Sequence, residues 1–183
     1  MKKIYTLAAV MITALALSFT TVDARSLDAL KTKPVQSIEQ QIVHKLRMLP
    51  NYGVFDHITF QVNGPIVTLS GKVISLGTRG DAVASVKRIP GVERVINNIE
   101  NLPPSPSDRS IRRQTLRALA DKGLSGYFWE LNPSMRIIVD RGHISLEGYV
   151  RNKGDYNLAN IIANGVPGVF SVTNNLIVGK QLS

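Results

Sequence analysis

The sequence contains no cysteine among its 183 residues, few aromatic residues (6%, with one tryptophan) and fewer acidic than basic side chains (13 against 22). Without cysteine the chain has no disulfide, no thiolate metal ligand and no N-terminal cysteine for lipid attachment. Its folded parts must therefore be stable through their apolar cores alone. The formal net charge of +9 favours an anionic partner.

Signatures of catalysis are also lacking. The three histidines, His44, His57 and His143, do not have the spacing of a metal site. The sequence has no Gly-x-Ser-x-Gly elbow, no thiol nucleophile and no phosphate-binding loop, and its carboxylates are scattered. We therefore predict a protein that is not an enzyme and that uses neither a cofactor nor a metal.

The N-terminus is typical of an export signal. Lys2 and Lys3 precede an apolar run over residues 4–17, and Val22-Asp23-Ala24 provides a cleavage site. We place cleavage after Ala24, with cleavage near Ala16 as a weaker alternative. An uncleaved membrane anchor is the other interpretation, but the run is shorter than the 18 or so residues that span a bilayer. We expect the mature protein in an extracytoplasmic space.

The rest of the chain is a tandem repeat. Residues 62–101 align with residues 139–178 without a gap, and 12 of these 40 pairs are identical, against roughly two or three expected by chance. Upstream of these residues, the difference in residue number between equivalent positions falls from 77 to 73. The second copy therefore has four extra residues between its first helix and its first strand. Between the copies, residues 102–107 include three prolines, which predicts a short, semi-rigid spacer without helix.

Each copy predicts the same elements. Apolar residues at helical spacing indicate a first helix, capped by Ser37 in copy one and by Asp108 in copy two. An alternating pattern then predicts a hairpin, with its turn at Asn63-Gly64 in copy one and at residues 140–142 in copy two. A second helix (78–89 and 155–166) and a last strand (92–99 and 169–178) follow.

A strand, a helix and a strand in succession favour a right-handed crossover between parallel strands. We predict an α+β fold of two tandem αββαβ modules, each a three-stranded mixed sheet with two helices on one face. Modules of about 70 residues are marginally stable alone, so packing of one on the other is expected. The structural turn residues are Gly71, Gly148, Pro90, Gly91, Pro167 and Gly168. The expected divisions are a signal (1–24), a linker (25–35), two modules (36–102 and 107–179), the spacer (103–106) and a tail (180–183).

Two segments of each copy carry a family resemblance. Residues 69–73 (Leu-Ser-Gly-Lys-Val) and 89–99 (Ile-Pro-Gly-Val-Glu-Arg-Val-Ile-Asn-Asn-Ile) resemble a BON domain, and residues 146–150 and 166–176 repeat the pattern. The resemblance covers nearly all of residues 36–179. It implies a bacterial periplasmic or outer-membrane-associated protein, linked to osmotic or envelope stress and without enzymatic activity. Some members of the family bind anionic phospholipid. Many two-copy members are lipoproteins, but this chain lacks the necessary cysteine and resembles the soluble periplasmic type.

The first helix of copy two is the first candidate binding feature. Residues 107–183 carry ten basic and six acidic side chains, and Arg109, Arg112, Arg113 and Arg117 are predicted to form a solvent-facing stripe. The stripe is either an ordinary solvated face or a contact surface for acidic lipid headgroups. Nucleic acid could use the same charges, but export argues against that partner.

The second candidate feature is the aromatic cluster Tyr127-Phe128-Trp129. It either covers one end of the core or lies at a membrane interface. Three consecutive aromatic side chains in an extended segment cannot all face inward, so we expect at least one to be exposed.

These features give two functional hypotheses. The first is a non-enzymatic periplasmic protein of the envelope-stress type that associates with an anionic phospholipid membrane through its second module. The alternative is a chaperone-like or protein-interaction module of an envelope assembly, because the free edges of a small sheet can accept a client strand. The sequence leaves the oligomeric state open.

Overall fold

The computed structural model of the chain describes residues 37–129 and 133–179. The predicted signal with its cleavage site, the N-terminal linker and the tail lie outside the described residues. Within the described residues, no helix is long and apolar enough to cross a membrane.

The first module contains two helices and three strands. Helix α1 (Ile38–Arg47) begins at the predicted cap, where the Ser37 side chain and the Gln40 side chain form a capping box. Strands β1 (His57–Asn63) and β2 (Ile66–Val73) form the hairpin, and helix α2 (Leu76–Lys87) connects it to β3 (Arg94–Asn101). The hairpin turn is Gly64-Pro65 and not Asn63-Gly64, because Asn63 still pairs with Ile66 and only Gly64 takes a positive φ, +57°.

The second module repeats this order. Helix α3 (Pro106–Leu119) is followed by a kinked segment, in which Lys122 and Gly123 leave the helical conformation, and by a turn of 3-10 helix. The hairpin of β4 (Met135–Asp140) and β5 (His143–Val150) comes next. Helix α4 (Lys153–Asn164) leads to the last strand, which is divided into β6 (Ser171–Asn174) and β7 (Ile177–Val178).

The strand pairing confirms the predicted α+β fold. β1 pairs antiparallel with β2 and β2 pairs parallel with β3, so the first sheet has the order β1-β2-β3. In the second sheet β4 pairs antiparallel with β5, and both β6 and β7 pair parallel with β5. In each module the helices pack on one face of a mixed sheet. Their cores contain, among others, Ile42, Leu69 and Val86 in the first module and Leu119, Leu146 and Ala159 in the second.

Two predictions at the spacer are wrong. Helix α3 begins at Pro106, inside the predicted spacer, because proline fits the first position of a helix, where no backbone donor is needed. Its N-cap is Ser105, whose hydroxyl accepts a hydrogen bond from the Asp108 amide at 3.1 Å. Asp108 is instead buried, and its carboxylate accepts hydrogen bonds from the amides of Arg141 and Gly142 at 2.9 and 2.8 Å.

Gly71 and Gly148 occupy equivalent positions where the neighbouring strand leaves no space for a side chain. Both have a positive φ, +125° and +104°. A Cβ atom at Gly71 would lie 2.1 Å from the carbonyl oxygen of His57, and one at Gly148 would lie 2.1 Å from that of Ser134. Glycine is therefore required at both positions. Gly91 and Gly168, after Pro90 and Pro167, also take positive φ values, +92° and +85°.

The two modules pack against each other through the loop of residues 48–56. The carbonyl oxygen of Val54 accepts a hydrogen bond from the Ile137 amide at 2.8 Å, and Val54 and Phe55 pack on the core of the second module. Arg136 donates hydrogen bonds to the carbonyl oxygens of Gly53 and Asp56 at 2.6 and 2.9 Å. As a result β4 is covered on both faces, and all its residues but the last are buried.

Candidate functional site

Helix α3 presents a row of three arginines to solvent. Arg109, Arg113 and Arg117 are exposed, and their spacing of four residues places them within about 80° of one another around the helix axis. No ion pair or hydrogen bond of these guanidinium groups is found among the described residues. We call these three residues the arginine row. Their charges are available to an external anion.

Arg112 does not belong to this row, and its predicted exposure is wrong. The residue is 5% exposed, and its Nη2 donates a hydrogen bond of 2.6 Å to the carbonyl oxygen of Val139 in β4. Burial lowers the pKa of the Arg112 guanidinium, while the nearby Asp108 carboxylate acts in the opposite direction. Arg112 therefore joins α3 to the sheet.

The helical spacing explains why Arg112 is buried while the arginine row is exposed. At 100° per residue Arg112 lies only about 20° from Leu119, which is on the core face, and about 60° from Arg109. A position so close to the core face is at the border between helix and sheet. The angle from Leu119 is the signal that would have separated Arg112 from the arginine row.

The aromatic cluster is divided between the core and the solvent. Tyr127 is buried, so the prediction that it contacts lipid directly is wrong. Its hydroxyl hydrogen-bonds the Asp155 carboxylate and accepts a hydrogen bond from the Arg151 amide at 2.9 Å. Phe128 is half-buried against the core, whereas Trp129 is 82% exposed. The segment is a tight helical turn and not extended, and only Trp129 remains available for binding.

A groove between α3 and α4 extends the same surface. It has a volume of about 500 Å³ and is lined on the α3 side by Arg117 and Ala118 and on the α4 side by Ile161 and Ile162. Ile161 is 69% exposed, and the rim also contains one cation, Lys122, and one anion, Asp121. The sequence does not identify Ile161 as a surface residue, because an isoleucine within a helix normally indicates core.

A second cavity, of about 470 Å³, lies between the modules and is lined by, among others, His57, Lys72, Asp140 and Glu147. Lys72 and Asp140 form an ion pair of 2.6 Å across the interface. Burial, and secondly the Arg136 charge, lowers the pKa of His57 to about 4. The imidazole is therefore neutral at pH 7, and its contact of 3.9 Å with Glu147 is not an ion pair there. Among residues 37–129 and 133–179, no group of three or more acidic, cysteine or histidine side chains is arranged to hold a metal ion.

The fold places the protein in the class of tandem αββαβ-module proteins. The chain belongs to the BON-domain family: the family model, described as BON domain, matches residues 35–103 and 107–180. The resemblance noted in the sequence is thereby confirmed. BON domains are generally non-catalytic, and membership suggests a non-enzymatic role in the cell envelope.

Two similar solved structures are both of CdsD, described as a structural protein of the type III secretion system of Chlamydia trachomatis. The first is 12% identical with a TM-score of 0.32, and the match covers 75% of this chain and 91% of that one. The second, a C-terminal domain, is also 12% identical with a TM-score of 0.32, and the match covers 80% of this chain and 100% of that one. At these TM-scores the likeness carries no argument about function. A comparison with curated proteins gives no match.

Proposed function

We propose that this protein associates peripherally with anionic phospholipid surfaces in the bacterial periplasm, through its second BON domain and without enzymatic activity. The observation that carries the proposal is the arginine row: three exposed guanidinium groups on one side of α3, without intramolecular partners among the described residues. Family membership and the sequence pattern of an export signal support the location.

The charges give the expected magnitude. Each basic side chain near an anionic bilayer contributes about 1 kcal/mol, so the arginine row contributes about 3 kcal/mol, or a preference of roughly 100-fold for anionic over zwitterionic lipid. Screening reduces this value, because the Debye length is about 10 Å at 0.1 M salt and about 3 Å at 1 M. Binding should therefore be weak at high salt.

Exposed apolar side chains provide a second contribution. Trp129 and Ile161 are both largely exposed, and Ile161 lies beside Arg117 in the groove between α3 and α4. Tryptophan settles at headgroup depth, and an aliphatic side chain next to cations can enter the boundary of the acyl region. The proposed contact is thus a cationic surface with a few shallow apolar anchors.

Vesicle sedimentation tests the proposal. The full chain is mixed with vesicles of phosphatidylcholine alone or of equal parts phosphatidylcholine and phosphatidylglycerol. We expect sedimentation with the second kind and a blue shift of the emission of Trp129, the only tryptophan. The double variant Arg113→Gln/Arg117→Gln should bind roughly 30-fold more weakly, since about 2 kcal/mol of attraction is removed.

The matched control is Lys45→Gln/Lys87→Gln, which removes two exposed charges from the helices of the first module. This variant should bind almost as well as the parent protein. Equal sedimentation with both kinds of vesicle, or an equal loss in the two double variants, would refute the proposal.

The alternative function as a protein-interaction module has its own supporting observation. β6 and β7 form one edge of the second sheet, and Ile177 and Val178 on β7 are exposed. An exposed apolar edge strand can pair with a strand of another protein. Suppression of client aggregation without lipid, lost on Ile177→Lys, would favour this function.

A further inference from the structure

A third cavity lies where the spacer enters the second module. It has a volume of about 450 Å³ and is bounded by the start of α2, the end of β3, the spacer and the first turns of α3. We call it the spacer cavity. Since Arg113 and Arg117 do not line it, it shares only Arg109 with the arginine row.

One side of the spacer cavity is apolar and open. Ile74 and Leu76 line it together with Leu102 and the prolines of the spacer. Leu76 is 73% exposed and Ile74 is also exposed, although both lie next to a cavity. Large aliphatic side chains in that arrangement provide a surface for an alkyl chain.

The other side carries two guanidinium groups. Arg109 is exposed, while Arg112 is 5% exposed and its buried Nε has no hydrogen-bond acceptor among the described residues. The Asp108 carboxylate does not fill this role, because it accepts from the amides of Arg141 and Gly142. An unpaired buried donor is costly, and an external anion would satisfy it.

Charges of both signs surround Arg112. Burial and, to a smaller extent, the Arg109 charge disfavour its charged form, whereas the Asp108, Asp56 and Asp140 carboxylates favour it and would repel an anion. An anion held between the two arginines would relieve their mutual repulsion. Asn101, which also lines the cavity, has a buried Oδ1 without a donor among the described residues.

We propose that the spacer cavity binds a single anionic amphiphile, with its carboxylate or phosphate on Arg109 and Arg112 and its alkyl chain against Ile74 and Leu76. The ligand is one molecule held between the modules, which differs from the bilayer contact of the arginine row. Either site can therefore exist without the other.

Calorimetric titration of the full chain with octyl phosphate and octanoate, below the concentrations at which they form micelles, tests this site. We expect saturable binding of one molecule, with octan-1-ol and inorganic phosphate each binding roughly tenfold more weakly or not at all. The comparison of octyl phosphate with octanoate identifies the preferred headgroup. Equal affinity for octan-1-ol would show that the arginines do not contribute to binding. Equal affinity for inorganic phosphate would show that the apolar side of the cavity does not contribute. Either result overturns the proposal.

Two variants separate this site from the membrane surface. Leu76→Asn replaces an exposed side chain at the start of α2 and should weaken octyl phosphate binding roughly tenfold, because the alkyl chain loses its apolar contact with the leucine. Its vesicle binding should be unchanged. Ile161→Asn, an equivalent change in α4, and Arg113→Gln/Arg117→Gln should leave octyl phosphate affinity within about twofold. Absence of saturable binding, or an equal loss in Leu76→Asn and Ile161→Asn, would refute the spacer cavity as the site.

Discussion

Replacement of Arg136 by methionine should uncouple the two modules. In the folded chain its guanidinium donates to the carbonyl oxygens of Gly53 and Asp56 and stacks on the Tyr52 ring at 4.1 Å. A hydrogen bond from a charged group contributes about 1.5–3 kcal/mol, and a desolvated cation–π contact about 2 kcal/mol. Methionine retains the length of the side chain and removes the cost of burying a charge, which offsets part of the loss. We expect a net loss of about 3 kcal/mol in the free energy of unfolding.

Scanning calorimetry with urea unfolding measures this loss. The parent chain should unfold in one transition, with equal calorimetric and van't Hoff enthalpies, because the modules share an interface. Arg136→Met should lower the free energy of unfolding and make the calorimetric enthalpy exceed the van't Hoff enthalpy as the modules unfold separately. The control is Thr59→Met at the equivalent, exposed position of β1, with an expected change below about 0.5 kcal/mol. A single transition with less than about 1 kcal/mol lost in Arg136→Met would show that this contact does not join the modules.

Three further predictions concern stability. Gly71→Ala should cost more than about 2 kcal/mol in urea unfolding, because its Cβ would meet a backbone oxygen at 2.1 Å, whereas Gly64→Ala, with open space around it, should cost about 1 kcal/mol for its positive φ alone. His57 has a pKa of about 4 in the folded chain, so only the unfolded chain gains this proton between about pH 6.5 and 4. The free energy of unfolding should therefore fall by up to roughly 3 kcal/mol over that range. His57→Gln should reduce this dependence on pH, and an unchanged dependence would contradict the assignment. Tyr127→Phe should lower the melting temperature by several degrees through the loss of about 1–3 kcal/mol, and a melting temperature equal to that of the parent would contradict a structural role for its hydroxyl.

The repeated fold was predictable because its signals are local. Alternation in the strands, helical spacing and the Pro-Gly turns act within a few residues, and duplication presents each signal twice. Boundaries moved by about two residues where neighbouring structure overrides local preference, as at Asp108. That residue has the chemistry of an N-cap, but its carboxylate binds the amides of the β4–β5 turn, which is distant in sequence.

The candidate site was predictable only in part, because exposure depends on contacts between elements. Arg109, Arg113 and Arg117 are exposed as expected, whereas Arg112 meets the carbonyl oxygen of Val139 in a strand 27 residues away. The packing of the modules did leave a signal in the sequence. Ile138 in β4 breaks the alternation that Gln61 maintains at the equivalent position of β1, and it lines the cavity between the modules.

The covering of β4 on both faces affects how sequence changes can be exchanged between the two halves of the chain. Thr59 and Gln61 are exposed, while Arg136 and Ile138, their counterparts after duplication, are buried. Substitutions should be tolerated at the first two positions and costly at the last two. A consensus sequence averaged over the two halves would therefore put residues into β4 that do not suit a strand covered on both faces. Replacement of the second hairpin by the sequence of the first should yield a chain whose modules no longer pack on each other.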